Sequence, residues 1–317
     1  MSRHGAAHGG LTDPGASAVA VKGWFGANKW LLARRLAQLT FVAVFLSGPL
    51  FGLWIAKGTL ASSLTLGVLP LTDPLLVLQS LAAGHVMAGS ALLGGAIVLV
   101  VYGVIGGRIY CSWVCPVNVV TDFAAWLRPR LGMDKGLMLR RSTRYWLLGG
   151  ILAASAATGT IAWEFVNPVT MLHRGLVTGG VLTLGSAVLV TAAVFLFDLG
   201  IAARGWCTHL CPVGAFYGLL GGVSVLRVSA VRRAACDDCM DCFTVCPERQ
   251  VIAPALRGAA KGVGPVILSR DCTNCGRCID VCSKAVFRFD TRFHNAPSDS
   301  ESTGTNVGAG VPPAKVA

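Results

Sequence analysis

The chain's 317 residues include twelve cysteines, and their spacing decides what chemistry each can do. After Arg233 the chain reads Cys236-x2-Cys239-x2-Cys242-x3-Cys246-Pro247, then Cys272-x2-Cys275-x2-Cys278-x3-Cys282. Three cysteines two residues apart wrap one corner of an iron–sulfur cubane, and the fourth reaches across to a second cubane. One [4Fe–4S] cluster then takes Cys236, Cys239, Cys242 and Cys282, and the other takes Cys272, Cys275, Cys278 and Cys246. Ser283 stands where the first run has Pro247, which removes no ligand. Structural zinc favours two separated Cys-x2-Cys pairs over cysteines packed this densely. Disulfides do not suit the reducing cytoplasm, where the charge pattern places this segment.

The other four cysteines lie in a duplicated motif. Arg108, Tyr110, Cys111, Ser112, Cys115, Pro116 and Val117 recur in register as Arg204, Trp206, Cys207, Thr208, Cys211, Pro212 and Val213. Helical i, i+4 spacing sets each pair on one face, and the duplication brings the four thiols together. They could hold a further iron–sulfur cluster, act as redox dithiols or bind copper or zinc. Four packed, inert cysteines are the plainer alternative.

The elements that position these residues are membrane spans. Apolar residues make up 54% of the chain and charged ones 13%, with a mean hydropathy of +0.63. A soluble domain carries about a quarter charged residues. Four uncharged stretches, Leu36–Ala56, Val86–Gly107, Tyr145–Trp163 and Gly175–Phe197, are each near the roughly 20 helical residues that cross about 30 Å of hydrocarbon. Five Lys and Arg precede the first stretch, seven separate the second from the third, and thirteen follow the fourth. The net charge of +12 therefore follows membrane topology rather than nucleic-acid binding, and both termini are expected in the cytoplasm. The first span reads as an uncleaved anchor. The segment before Val21 and the tail from about Ala296 read as disordered. Trp24, Phe25, Lys29, Trp30, Arg34 and Arg35 read as juxtamembrane anchors.

Asp73-Pro74 and Asn167-Pro168 start matching apolar stretches in the two outer connections, each an N-cap followed by proline at the first helical position. The repeating unit is span, outer Asx-Pro helix, span, inner Cys-x3-Cys-Pro, used twice in parallel. The expected architecture is an α-helical membrane protein of four transmembrane helices in a parallel two-helix repeat, followed by a small α+β domain of the bacterial 2[4Fe–4S] ferredoxin type. The expected divisions are 1–35, a cytoplasmic segment; 36–226, the membrane domain; 227–294, the ferredoxin-like domain; and 295–317, the tail.

Cubanes beside a membrane need a membrane-soluble partner, and quinol is the obvious one. Its oxidation releases protons, so its site needs titratable groups. The outer connections offer Asp73, His85, Glu164 and His173, with Trp163 as an aromatic wall. Interfacial anchoring and helix capping are the plainer roles for these residues. His209 is a further proton carrier or ligand candidate. No C-x-x-C-H haem attachment is present, and the six histidines do not pair within facing spans. An outer quinol site would thus lie about 30 Å from the inner clusters with no carrier between.

The four spans, the two Cys-x3-Cys-Pro motifs and the C-terminal double run resemble the NapH family of ferredoxin-type membrane quinol dehydrogenase subunits. The outer stretch from Trp163 to Gly175 is similar to that family's second outer loop. The resemblance implies oxidation of menaquinol or ubiquinol at the bacterial inner membrane and electron delivery through the periplasmic iron–sulfur protein NapG toward periplasmic nitrate reductase. It also covers a rival, a copper- or iron-reducing maturation factor like CcoG. That protein carries a further C-terminal domain, and NosR carries a large extracytoplasmic one; the length here favours NapH. A membrane redox sensor ranks last, because no effector domain is visible.

Overall fold

The computed structural model describes residues 13–133, 136–137 and 139–293; the first twelve residues and the tail from His294 on, both expected to be disordered, lie outside them. Helix α1 (Ala16–Phe51) carries the expected first span, Leu36–Ala56, only as far as Phe51. It bends at Gly23, where φ is 72°, and ends at Gly52 in the left-handed conformation, so that Ala56 falls in a strand instead. It starts at Ala16, inside the segment before Val21 expected to be disordered, because the C-terminal domain holds its beginning. The Gly15 N–H donates to Asp241, Lys22 to the Ile279 carbonyl, and the Trp30 and Leu31 N–H groups to the two oxygens of Asp280.

Three short antiparallel strands follow, β1 (Ala56–Gly58), β2 (Ser62–Thr65) and β3 (Leu69–Thr72), with Ala56 opposite Thr65 and Ser62 opposite Thr72. Helix α2 (Pro74–Ala82) begins as its Asx-Pro pair predicts: the Asp73 side chain accepts from the Leu75 N–H. Helix α3 (Gly89–Ile105) carries the second apolar stretch, and α4 (Ile109–Trp113) and α5 (Val117–Arg130) carry the first cysteine motif. Helix α6 (Thr143–Thr158) carries the third stretch, expected over Tyr145–Trp163, only to Thr158. The left-handed Gly159 ends it, and Trp163 lies in a separate 3-10 turn, Ala162–Phe165.

The fourth stretch differs from the expected Gly175–Phe197. Helix α7 (Pro168–Thr178), capped by Asn167 through the Val169 N–H, occupies its start. Gly179 at φ 59° stops α7, and α8 (Val181–Leu196) then runs on through a π-helical turn to Ile201. A second π turn, Trp206–Leu210, carries Cys207, and α9 (Pro212–Leu220) starts after Cys211. Two helices, Ala16–Phe51 and Val181–Ile201, are long and apolar enough to cross a membrane; α3 is apolar but shorter. Large apolar side chains face outward along them, with Val181 and Leu182 each 89% exposed.

Close approach in this bundle depends on missing side chains. A Cβ at Gly94 of α3 would meet the Pro70 backbone at 3.0 Å, and one at Gly107 would lie 2.1 Å from the Tyr217 carbonyl oxygen. The β1–β3 connection and α9 can therefore press against the ends and flank of α3.

The C-terminal domain closes with β4 (Leu226–Ser229) antiparallel to β5 (Arg288–Thr291). Between them lie α10 (Asp241–Val245), α11 (Ile252–Arg257) and α12 (Arg277–Asp280). Val228, Ile252, Leu256, Ile267, Val286 and Phe287 form its core together with Cys242 and Cys278.

Candidate iron–sulfur sites

The two cysteine runs of the C-terminal domain share one backbone pattern. Asp238 and Met240 flank Cys239 with positive φ of 56° and 65°, and Asn274 and Gly276 flank Cys275 with 47° and 73°. Alternating left-handed residues curl a loop about a point and turn successive N–H groups inward, as in anion-binding nests. At Gly276 only glycine fits, since a Cβ would strike Trp30 at 2.7 Å.

Each loop encloses a cavity. One, of about 350 Å³, is lined by Cys236, Cys239, Cys242 and Cys282; the other, of about 360 Å³, by Cys272, Cys275, Cys278 and Cys246. These are the two sets the spacing predicts, with the fourth cysteine of each run exchanged. Backbone N–H groups two residues on approach the sulfurs: Asp241 toward Cys239, Glu248 toward Cys246, Asn274 toward Cys272 and Arg277 toward Cys275. Among the described residues, no three His, Cys, Asp or Glu side chains converge tightly enough for a single ion. Four cysteines around a volume suit a polynuclear cluster better than zinc.

The duplicated motifs converge on a third cavity, of about 590 Å³. Cys111, Cys115, Cys207 and Cys211 all line it, with Tyr110, Trp163, Trp206, Asp73 and Asn167. All four thiols are free of disulfides. Burial pushes Cys115 and Cys207 well up and Cys211 up to about 12, which leaves the thiols poor nucleophiles unless a metal ionises them. Tyr110 stacks on Tyr217 at 5.2 Å between centroids, and Trp163 lies over Trp206 at 6.4 Å.

Asp73 and Asn167, expected at the opposite face from the cysteines, thus reach the same cavity. Both hydrogen bonds of Asp73 fall on Oδ1, from the Leu75 N–H at 2.9 Å and the Tyr217 hydroxyl at 3.3 Å. Burial raises its carboxyl to about 6, outweighing those bonds. His85, Glu164 and His173, also considered for the quinol site, do not line the cavity. His85 is paired with the Gly159 carbonyl at 2.9 Å and exposed. Glu164 accepts from Asn167 at 3.2 Å. His173 is buried edge-on to Phe45 with neither ring nitrogen partnered, and burial pushes its pKa down. Trp163 does line the cavity; His209 does not.

The third cavity is tied directly to the C-terminal domain. Ser112, between Cys111 and Cys115, donates to the Thr273 carbonyl at 2.7 Å, and Trp113 Nε1 donates to the Asn274 carbonyl at 3.0 Å. Buried Arg108 donates to Glu248 Oε1 at 2.6 Å and to the carbonyls of Asp271 at 3.0 Å and Cys207 at 3.1 Å. Arg144, also buried, binds Glu248 and Asp271. Arg204, the counterpart of Arg108, donates to the Val245 carbonyl at 2.9 Å, next to Cys246. Charge alone did not mark these residues as functional, although the register of Arg108 with Arg204 was visible in the duplication.

A 4Fe-4S binding domain model matches residues 87–134 and again 182–230, and a 4Fe-4S dicluster domain model matches 235–286. The chain is 50% identical to the ferredoxin-type protein NapH of Escherichia coli over 89% of its own length and 96% of that protein. It is 49% identical to NapH of Haemophilus influenzae, covering 86% of this chain and 94% of the relative. It is 53% identical to the methylamine utilization ferredoxin-type protein MauN of Methylorubrum extorquens, covering 87% and 94%. No solved structure gives a significant match. With half its residues shared along nearly the full length of these relatives, and with 4Fe-4S domain models matching its cysteine segments, the chain belongs to the family of ferredoxin-type 4Fe-4S electron-transport proteins that includes NapH and MauN.

Proposed function

We propose that the protein is a membrane electron-transfer subunit that oxidises quinol. The observation that carries this reading is the third cavity: Asp73, between the first two apolar helices, shares it with four cysteines whose motif is bonded to the Cys272–Cys278 loop. The separation of an outer proton acceptor from inner redox groups disappears if both serve one pocket. α1, α3, α6 and α8 cross the bacterial inner membrane, and the charge distribution keeps the dicluster domain in the cytoplasm. Cys236, Cys239, Cys242 and Cys282 ligate one cubane, and Cys272, Cys275, Cys278 and Cys246 the other. When bound, such clusters supply one-electron carriers over a wide range of potentials.

The chain's own residues supply the rest. The substrate is menaquinol or ubiquinol. Asp73 accepts a hydroxyl proton at the oxygen that Leu75 and Tyr217 leave free. Tyr217 holds the carboxylate in place, while Trp163 and Tyr110 wall the pocket. Arg108, Arg144 and Arg204 fix the cysteine motifs against the dicluster domain, so that donor and acceptor sites keep one spacing.

The NapH relatives favour electron delivery by way of NapG to periplasmic nitrate reductase. The MauN relative, at equal or higher identity, favours a second destination in methylamine utilization. The quinol side is common to both readings, and the partner decides the destination. The test is to purify the protein anaerobically in detergent, add menaquinol or ubiquinol and follow the clusters by EPR, alone and with NapG. Reduction by quinol is expected. Clusters that reduce with dithionite but with neither quinol, partner present, would overturn the reading.

A further inference from the structure

We propose that Cys111, Cys115, Cys207 and Cys211 together ligate a third [4Fe–4S] cluster, shared between the two halves of the duplication. Each half carries too few ligands alone. The matched segments 87–134 and 182–230 hold two cysteines apiece, and a cubane takes four. The fold supplies the missing half-site by bringing both pairs to one cavity.

The sulfur environment repeats that of the dicluster loops. There, N–H groups two residues on approach Cys239, Cys246, Cys272 and Cys275. Here the Val117 and Asn118 N–H groups approach Cys115, and those of Val213 and Gly214 approach Cys211. N–H groups facing a thiolate spread its charge and tune a cluster's potential.

Charge and placement agree. Cys115 and Cys211 each precede a helix, α5 and α9, and the N-terminal caps of α2 and α7, Asp73 and Asn167, line the same cavity. The positive ends of four helices therefore surround a group of four thiolates. All four cysteines and Asp73 line this one cavity, as four cysteines line each of the two dicluster cavities.

The inference stands apart from the quinol reading and uses the two-cubane reading only as a baseline. Its test is iron and acid-labile sulfide per chain in the anaerobically purified full-length protein, with EPR of the reduced state. The wild type is expected to hold about twelve irons, four per cubane. Replacing Cys115 and Cys211 by Ala should lower this to about eight, leaving the dicluster signals as the control for folding. Conversely, Cys239→Ala with Cys275→Ala should leave about four irons with a [4Fe–4S] signature, which decides the matter if the first variant fails to fold. About eight irons in the wild type, unchanged by the first pair of substitutions, would overturn the proposal. So would stoichiometric zinc or copper lost on those same substitutions. Failure of quinol to reduce the protein would leave the iron count, and so this inference, untouched.

Discussion

Asp73 combines three properties that occur together at no other carboxylate considered for the site: it caps a helix, it bonds Tyr217, and it lines the cysteine cavity. A carboxyl raised to about 6 accepts a proton only when ionised, so quinol oxidation should fall as the pH drops through about 6. Asp73→Asn keeps the cap but cannot take the proton. Its turnover should fall by about 10²–10⁴, the usual contribution of a positioned base, and the acidic limb should vanish while iron content stays constant. Steady-state rates against pH check this.

Asp122 works the other way. Burial alone would raise it, but Arg277, Arg204, Arg34 and Arg35 outweigh burial and hold it at about 2. A depressed carboxyl contributes stability that is fully present above its unfolded pKa of about 4 and lost only as the pH falls toward the folded value. The penalty of Asp122→Asn should therefore be constant between about pH 5 and 8. A size of about 3–5 kcal/mol is expected, because buried arginines lose their counter-charge. Denaturant titration, followed by cluster bleaching, measures it.

At the scale of elements, the crossing of α3 with α9 decides whether Tyr217 reaches Asp73 and Cys211 reaches the cavity. A Cβ at Gly107 would sit 2.1 Å from the Tyr217 oxygen and 2.2 Å from the Gly221 nitrogen, and backbone cannot swing aside as a side chain does. Gly107→Ala should cost about 3 kcal/mol, the upper end for overpacking, and should impair quinol oxidation by shifting α9. Gly67→Ala is the contrast. Nothing lies within 4 Å of its Cβ, and only its φ of +74° is strained, so about 1–2 kcal/mol is lost with turnover unchanged. Thermal melts in detergent with parallel rate measurements separate the two. The α1 helix shows the same dependence on tertiary contact. Its first turns are held by Asp241, Ile279 and Asp280 of the dicluster domain, partners more than two hundred residues away in sequence.

For the whole molecule, the expected topology has the β1–β3 connection outside and the dicluster domain inside. A reporter enzyme that is active only after export, fused after Gly67, should be active, and the same reporter fused after Phe293 should be silent. Activity at Phe293 would reverse the proposed orientation. The Arg108–Glu248–Arg144–Asp271 network ties the apolar helices to the dicluster part, so their relative placement is a property of the fold rather than of a linker.

Much of this was legible in the residues alone. The exchange of Cys246 and Cys282 between the two C-terminal sets follows from spacing, because a loop of three cysteines cannot close a cubane and the fourth must reach over. The caps at Asp73 and Asn167 follow from local side-chain chemistry, and the helical stretches from uncharged length. Tertiary structure alone decided how far the outer connections reach, that Asp73 and the inner cysteines line one cavity, and that Arg108 and Arg204 bind the C-terminal domain. These depend on contacts such as Arg108 with Glu248 or Gly107 with Tyr217, between segments far apart in the chain. Periodicity fixes which face of a segment is apolar, but only packing fixes which other segment that face meets.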